Sequence, residues 1–291
     1  MLGAFYVHGG TMTEYRSFFK TVGGNEGMKC HYSTRLDSYG CGCSHDCSYC
    51  YARSLLEFRK LWHPADPAVA DITKIRRRLD KIKPGTVLRL GGMTDCFQPI
   101  EKDYHVTYQV IKELNKRRIG YLIVTKSAIV ADDEYMKIYD PELAHIQVTI
   151  TATDDDKAME YEKASSVSDR IKAIEKLQRS GIDISVRLSP FIPENIDFSI
   201  LNGIHCDKIL VEFLRCNAFI RKAFPIDYSG YTVKQSGYRH LPLDKKKQYL
   251  SKITGFKEIT VCEDETEAYE YWKEYVNHNP DDCCNLRRTG V

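Results

Sequence analysis

The sequence predicts an α/β fold, a partial (β/α)6 barrel of the TIM type carrying a C-terminal appendage. Three observations lead there. Apolar, β-like runs alternate with helix-periodic stretches roughly six times in succession, which implies parallel strands joined by right-handed crossovers. A chain of 291 residues with 43% hydrophobic and 28% charged residues is long enough for one sizeable core. No internal repeat or low-complexity tract competes with that order, so residues 28–216 read as the barrel core, 1–27 as a loose N-terminal extension and 217–291 as the appendage.

The elements follow in chain order. The segment before Met28 has little periodic pattern, and its "GGNEG" precedes that second methionine. The first strand is expected within "CHYSTRLDSY", directly before a cysteine-dense loop. "KIRRRLDKIK" places Ile75, Leu79 and Ile82 at helical spacing, so its basic residues read as a solvated helix face. "TVLRLGG" is a short strand ending in Gly91 and Gly92, and "VTYQVIKELNKRR" is the helix that returns from it. "IGYLIVTK" reads as a buried strand, "DDEYMKIYD" as a short helix with an acidic start, and "HIQVTITAT" as a β-branched strand. "SSVSDRIKAIEKLQRSG" is the clearest helix, with Ser and Asp at its start, an Ile171, Ile174 and Leu177 stripe, and Gly181 past its end. "IDISVRLSPFIP" and "DKILVEFLR" complete the barrel strands. The appendage holds a loop with Tyr228, Tyr231 and Tyr238, a helix, the strand "KEITVC" and the acidic helix "ETEAYEYWKEYVNH".

A formal charge of +2 argues against coating nucleic acid by charge alone. No run of about 18 apolar residues is present, and the N-terminus lacks a basic region followed by an apolar core, so no membrane span and a cytoplasmic location are expected. Eleven cysteines, odd in number and unevenly spaced, favour reduced thiols over a disulfide framework.

Their dense group, "YGCGCSHDCSYCYARS", contains Cys43, Cys47 and Cys50 as C-x3-C-x2-C. Soft thiolates at this spacing select zinc, copper(I) or an iron–sulfur cluster. Structural zinc wants a closed tetrahedron, usually from two paired knuckles, and no second pair follows; His45, His63 or Cys41 would have to close the shell. A four-iron cluster held by three cysteines leaves one iron open to a cofactor. Cys41 reads as a packing residue. Cys30, Cys96, Cys206, Cys216, Cys262, Cys283 and Cys284 read as buried small hydrophobes or unpaired thiols, and the adjacent pair Cys283 and Cys284 as a poor second cluster site by itself.

The motif from Cys43 to Cys50, with Tyr49 before the last cysteine, resembles the signature of radical S-adenosylmethionine enzymes. "GCSHDCSYCYAR", "TDCFQPIE", "VTKS" and "VTITATDDD" resemble more narrowly the spore photoproduct lyase-like branch, the DNA-repair-photolyase homologues; the likeness runs to about Pro193. The resemblance implies a [4Fe-4S] cluster on Cys43, Cys47 and Cys50 and S-adenosylmethionine chelating the open iron. It implies that Gly91 and Gly92 receive the cofactor's amine, that Lys126 binds its carboxylate, and that Thr94 and Thr149 line its pocket. Ser189, with Arg187 and Asn195 nearby, falls where the family supplies groups to the adenosine. Tyr49 and Tyr51 match tyrosines beside the cofactor that take part in radical transfer. The lyases' hydrogen-donor cysteine aligns with Gly92 here, so Cys96, four residues on, is the substitute candidate.

The expected activity is reductive cleavage of S-adenosylmethionine to a 5′-deoxyadenosyl radical that takes hydrogen from a substrate. Nucleic acid is the substrate class the branch implies, and a peptide or small metabolite is the alternative. An electron donor such as flavodoxin or ferredoxin is implied. A looser resemblance, to small radical enzymes encoded in pairs on mobile elements, implies a protein partner. The competing class is a non-catalytic zinc-binding module.

Overall fold

The structure, a computed structural model, describes residues 4–8, 11–15, 18–23 and 29–287. Of the segment expected as a loose extension, residues 1–3, 9–10, 16–17 and 24–27 lie outside the described residues, as does Met28 after it. Within that segment, β1 (Ala4–His8) and β2 (Thr11–Tyr15) pair as an antiparallel hairpin. Strand β3 (Phe19–Thr21) pairs antiparallel with β4 (Thr34–Leu36) and forms one edge of the main sheet.

A short ribbon follows, β5 (Tyr39–Gly40) against β6 (Ala68–Val69). The sheet then continues with β7 (Val87–Leu90), β8 (Gly120–Thr125), β9 (Ala144–Ile150), β10 (Asp183–Phe191) and β11 (Lys208–Phe213). These are the six parallel strands, β4 included, that the alternating pattern predicts. A small hairpin, β12 (Val233–Gln235) with β13 (Tyr238–His240), decorates the Tyr-rich loop. Strand β14 (Glu258–Val261), expected within the appendage, adds parallel to β11, so the sheet order is β14-β11-β10-β9-β8-β7-β4-β3.

Alternation along each strand gives the sheet two unlike faces. Leu90, Ile123, Val148, Val186 and Val211 belong to the main core, into which helices Val106–Lys116 and Val167–Arg179 press Val110, Ile111, Leu114, Ile174 and Leu177. Full burial of each such side chain stabilises by about 1.5–3 kcal/mol. Both helices are capped by carboxylate or hydroxyl. Ser166 accepts from the Asp169 amide at 3.1 Å. The fully buried Glu101 accepts from the Thr107 and Tyr108 amides, each at 2.9 Å, in place of the left-handed His105 at the cap position.

The second face is a different surface. Arg35, Arg89, Gln147, Thr149, Arg187 and Glu212 occupy its upper rows, and Leu122 and Leu210 lie in a separate apolar cluster with Tyr32, Cys284 and Leu286. Residues flanking opposite margins of the sheet, Cys30 before β4 and Cys262 after β14, line one cavity, so the sheet curls toward closure as a partial barrel must.

Candidate active site

The cysteine loop runs from β5 to helix Tyr51–Phe58, at the C-terminal ends of the parallel strands, where ligands gather in such sheets. Its entry is forced by backbone. Cys41 is left-handed, φ 56°, and its carbonyl accepts the His63 amide at 2.7 Å. Gly42 has φ 133°, and a Cβ there would stand 2.6 Å from the His63 carbonyl carbon, so only glycine fits. The loop is braced from three directions. The Ser48 amide donates to Tyr161 O at 2.9 Å, the Lys163 amide to His45 O at 2.7 Å, and the Ser44 amide to Gln98 Oε1 at 2.9 Å. Cys43, Cys47 and Cys50 then open on one cleft of about 1070 Å³ including its mouth. Cys50 stands at the N-cap position of the helix; burial raises its thiol, and the amides of Arg53 and Ala52 oppose that rise.

Across the cleft, the glycine loop hangs from a single buried carboxylate. Asp37 Oδ1 accepts from the amides of Gly92 at 2.7 Å, Met93 at 3.1 Å and Thr94 at 3.4 Å. Gly91 is left-handed, φ 82°, and its Cβ would stand 3.0 Å from Val124 O; one at Gly92 would stand 2.8 Å from Arg35 Cδ. Thr94 lines the cleft, but its hydroxyl donates to Tyr39 O at 2.6 Å and ties the loop to β5.

Lys126 follows β8, and its ammonium sits 5.6 Å from the Tyr49 ring centre. The Lys126 amide donates to Asp95 Oδ2 at 2.7 Å, and the Thr125 hydroxyl to Asp95 Oδ1 at 2.7 Å. Burial alone would raise the Asp95 carboxyl; His45, 3.2 Å away, and these donors outweigh it and bring it to about 2. Beneath Tyr49, Glu162 gathers the Tyr49 and Thr151 hydroxyls and the Arg170 guanidinium, which also donates to Thr149 O at 2.9 Å. Burial opposes ionisation of Glu162, and Arg170 and Lys126 reverse it. The far wall is Arg187, which donates to Gln147 Oε1 at 2.6 Å and to Glu212, with the Ser189 hydroxyl on the same Glu212 oxygen at 2.8 Å. Burial again pushes Glu212 up, while Arg187 and Arg215 hold it at about 2.

The cleft therefore brings together Cys43, Cys47, Cys50, Tyr49, Tyr51, Gly91, Gly92, Thr94, Lys126, Thr149, Arg187 and Ser189. It does not include Cys96, which is fully buried behind Asp95; the turn that aims the Asp95 carboxylate toward Lys126 sends the next side chain into the core beside Phe97. Asn195 also lies elsewhere, donating to the Tyr161 hydroxyl at 3.2 Å. Sequence reasoning missed Asp37, Asp95, Glu162, Arg170 and Glu212. Most of their partners lie far away in sequence, the Glu162 and Arg170 pair excepted, and the local signal was an acidic residue within an otherwise apolar strand, at Glu212 in "ILVEF".

The donor set fits a polynuclear cluster. Burial, then the Asp95 charge, pushes the Cys43 thiol up to about 12, and burial also raises Cys47 and Cys50. Three such thiols ionise only around a strongly positive centre. Four sulfurs on one zinc, each at ~2.3 Å, stand about 3.8 Å apart. Among the described residues, three ligand atoms crowd within 4.8 Å of one another at His240, Glu263 and Asp264, where Lys246 and Arg215 already pair the carboxylates; the three loop cysteines stand wider.

A family model described as the Radical SAM superfamily matches residues 38–198. An uncharacterized protein of Methanocaldococcus jannaschii is 26% identical over 168 residues, 56% of this chain and 62% of its own. An uncharacterized protein of Mycobacterium tuberculosis is 24% identical over 202 residues, 66% of this chain and 58% of its own. The chain thus spans about three fifths of the length of these curated relatives. Among solved structures, a spore photoproduct lyase variant is similar at TM-score 0.60 and 16% identity, covering 85% of this chain and 81% of that one. Another, with bound AdoMet and dinucleoside spore photoproduct, is similar at TM-score 0.58 and 16% identity over 77% and 74% of the two chains. At that identity the likeness is one of fold.

Proposed function

This chain belongs to the radical SAM superfamily, whose enzymes carry a [4Fe-4S] cluster and S-adenosylmethionine, and from that premise we propose that it initiates radical chemistry on a substrate held over the C-terminal ends of its strands. The observation that carries this reading is the convergence of Cys43, Cys47, Cys50, Gly91, Gly92 and Lys126 on one cleft. When bound, cluster and cofactor supply a 5′-deoxyadenosyl radical that takes a hydrogen atom from the substrate.

The chain's own residues do the rest. Cys43, Cys47 and Cys50 would hold three irons of the cluster, and no other cysteine lines this cleft among the described residues, which would leave the fourth to the cofactor. Asp37 draws the amides of residues 92–94 inward and so fixes the path of the glycine loop along the cleft wall, where its backbone can receive an ammonium group. Lys126 offers a charge-assisted partner for a carboxylate. Thr149, Arg187 and Ser189 offer polar contacts to a nucleoside, with Glu162 and Glu212 fixing the pieces around them. Tyr49 is held by Glu162, and Tyr51 donates to Gly92 O, so the phenol nearer the open cleft, Tyr51, is the better placed hydrogen-atom donor.

Nucleic acid is the substrate we infer. Support comes from the cations on the cleft wall, Lys126, Arg89, Arg187 and Arg215, and from the dinucleoside bound by a lyase of similar fold. Repair through a cysteine donor has no support in the geometry, because Cys96 lies outside the cleft. Reconstituted protein with S-adenosylmethionine and a low-potential reductant should form 5′-deoxyadenosine, and Cys43→Ala should form none. Deuterated solvent with DNA, RNA or peptide substrates reads the class. Label entering peptide alone would overturn the nucleic-acid reading and leave radical initiation standing.

A further inference from the structure

Four cysteines that the sequence leaves without a task converge outside the loop and its cleft. Cys30 precedes β4, Cys262 follows β14, and Cys283 and Cys284 sit in a turn near Leu286. The fold packs all four around Leu122 and Leu210 on the second face of the sheet. Cys30, Cys262 and Cys283 line one cavity of about 600 Å³.

The turn that presents the pair is firmly built. Asp282 Oδ1 accepts the Cys284 amide at 3.0 Å, the Asp282 carbonyl accepts the Asn285 amide at 3.0 Å, and Asn285 is left-handed with φ 47°. Lys208 Nζ holds Asn285 O at 2.9 Å, and Asp183 Oδ2 accepts the Arg287 amide at 2.8 Å. Such bracing fixes where two adjacent sulfurs point, which a lone Cys-Cys dipeptide does not.

The cavity wall is positive. Glu212, Glu263 and Asp264 on it are taken up by Arg187, Lys246 and Arg215. Arg89, beside Arg35 in the strand ladder, has a buried Nε with no hydrogen-bond partner. A buried guanidinium without a partner is costly, and an anionic group in the cavity removes the cost. A [4Fe-4S] core with four thiolates carries net negative charge. Cys283 stands within hydrogen-bond reach of both Cys262 and Cys284, but no three of these sulfurs lie mutually within 4.8 Å, as the ligands of one zinc would.

We propose that Cys30, Cys262, Cys283 and Cys284 ligate a second iron–sulfur cluster, next to the cleft and divided from it by Arg89, Arg187 and Glu212. All four ligands come from the protein, so this cluster has no open position. It clamps the start of the barrel, its last strand and the C-terminal segment together.

Anaerobic reconstitution tests it through metal counts and spectra rather than turnover. Wild-type protein should hold about eight irons, and Cys43→Ala/Cys47→Ala/Cys50→Ala should keep about four with absorbance near ~400 nm. Adding Cys262→Ala and Cys283→Ala should abolish that remainder, with circular dichroism checking the fold. The wild-type count and its Mössbauer spectrum stand even if a variant misfolds. About four irons in the wild type, an iron-free triple variant, one retained zinc in place of iron, or a disulfide found by thiol titration would each overturn the proposal.

Discussion

In the proposed reading Lys126 supplies the cofactor pocket with a charge and Asp37 with a scaffold. Lys126→Met removes a charge-assisted contact worth about 1.5–3 kcal/mol, so S-adenosylmethionine should bind roughly 10- to 100-fold more weakly while iron content stays unchanged. Isothermal titration with the reconstituted protein checks both. Asp37→Ala instead orphans three amides, one buried and two half-buried, and at about 1 kcal/mol or more for the buried one it should cost stability as well as affinity. A third residue, outside the cleft, contributes to the acid limit of the fold. Burial would raise Asp183, but His145 and Lys208 bring it from 3.8 to about 2. A carboxyl depressed in the folded state stabilises above its unfolded value and loses that contribution as pH falls through the folded one. Asp183 thus contributes about 2 kcal/mol above pH 4 that is lost on the way to pH 2. Asp183→Asn should flatten denaturant midpoints across that window. Legibility at this scale followed locality. Cys43, Cys47 and Cys50 announce themselves by spacing within eight residues, but Asp37 and Glu162 become meaningful only beside Gly92 and Tyr49, which the chain brings from elsewhere.

Elements with their own period were readable, and elements made by tertiary pairing were not. Helix Val167–Arg179 starts after Ser166 and ends before Gly181, φ 77°, as its hydroxyl and glycine predict. The two-residue strands β5 and β6 carry no periodicity to read, yet they frame the entry to the cysteine loop. That entry is brittle. Gly42→Ala adds a Cβ 2.6 Å from the His63 backbone at φ 133°, so backbone must shift just before the first ligand. Iron incorporation should fall well below one cluster per chain, with a drop in Tm of several degrees, as cluster spectra and calorimetry would show.

At the scale of the molecule, the alternating pattern revealed six parallel strands, and only long-range pairing could place β14 beside β11. The same holds for the four gathered cysteines, which span residues 30 to 284 and leave no trace in spacing. Residues 279–287 close the second face through Tyr32 with Asp282, Lys208 with Asn285 and Asp183 with Arg287. Ending the chain at His278 should therefore expose Leu122 and Leu210, seen as increased dye binding and a lowered unfolding midpoint.

This closure also orders events in time. Synthesis delivers β4 through β11 before residues 279–287, and the second face of the sheet cannot be covered until that segment docks. Leu122 and Leu210 stay uncovered for that interval, and the proposed four-cysteine site is complete only once Cys283 and Cys284 arrive.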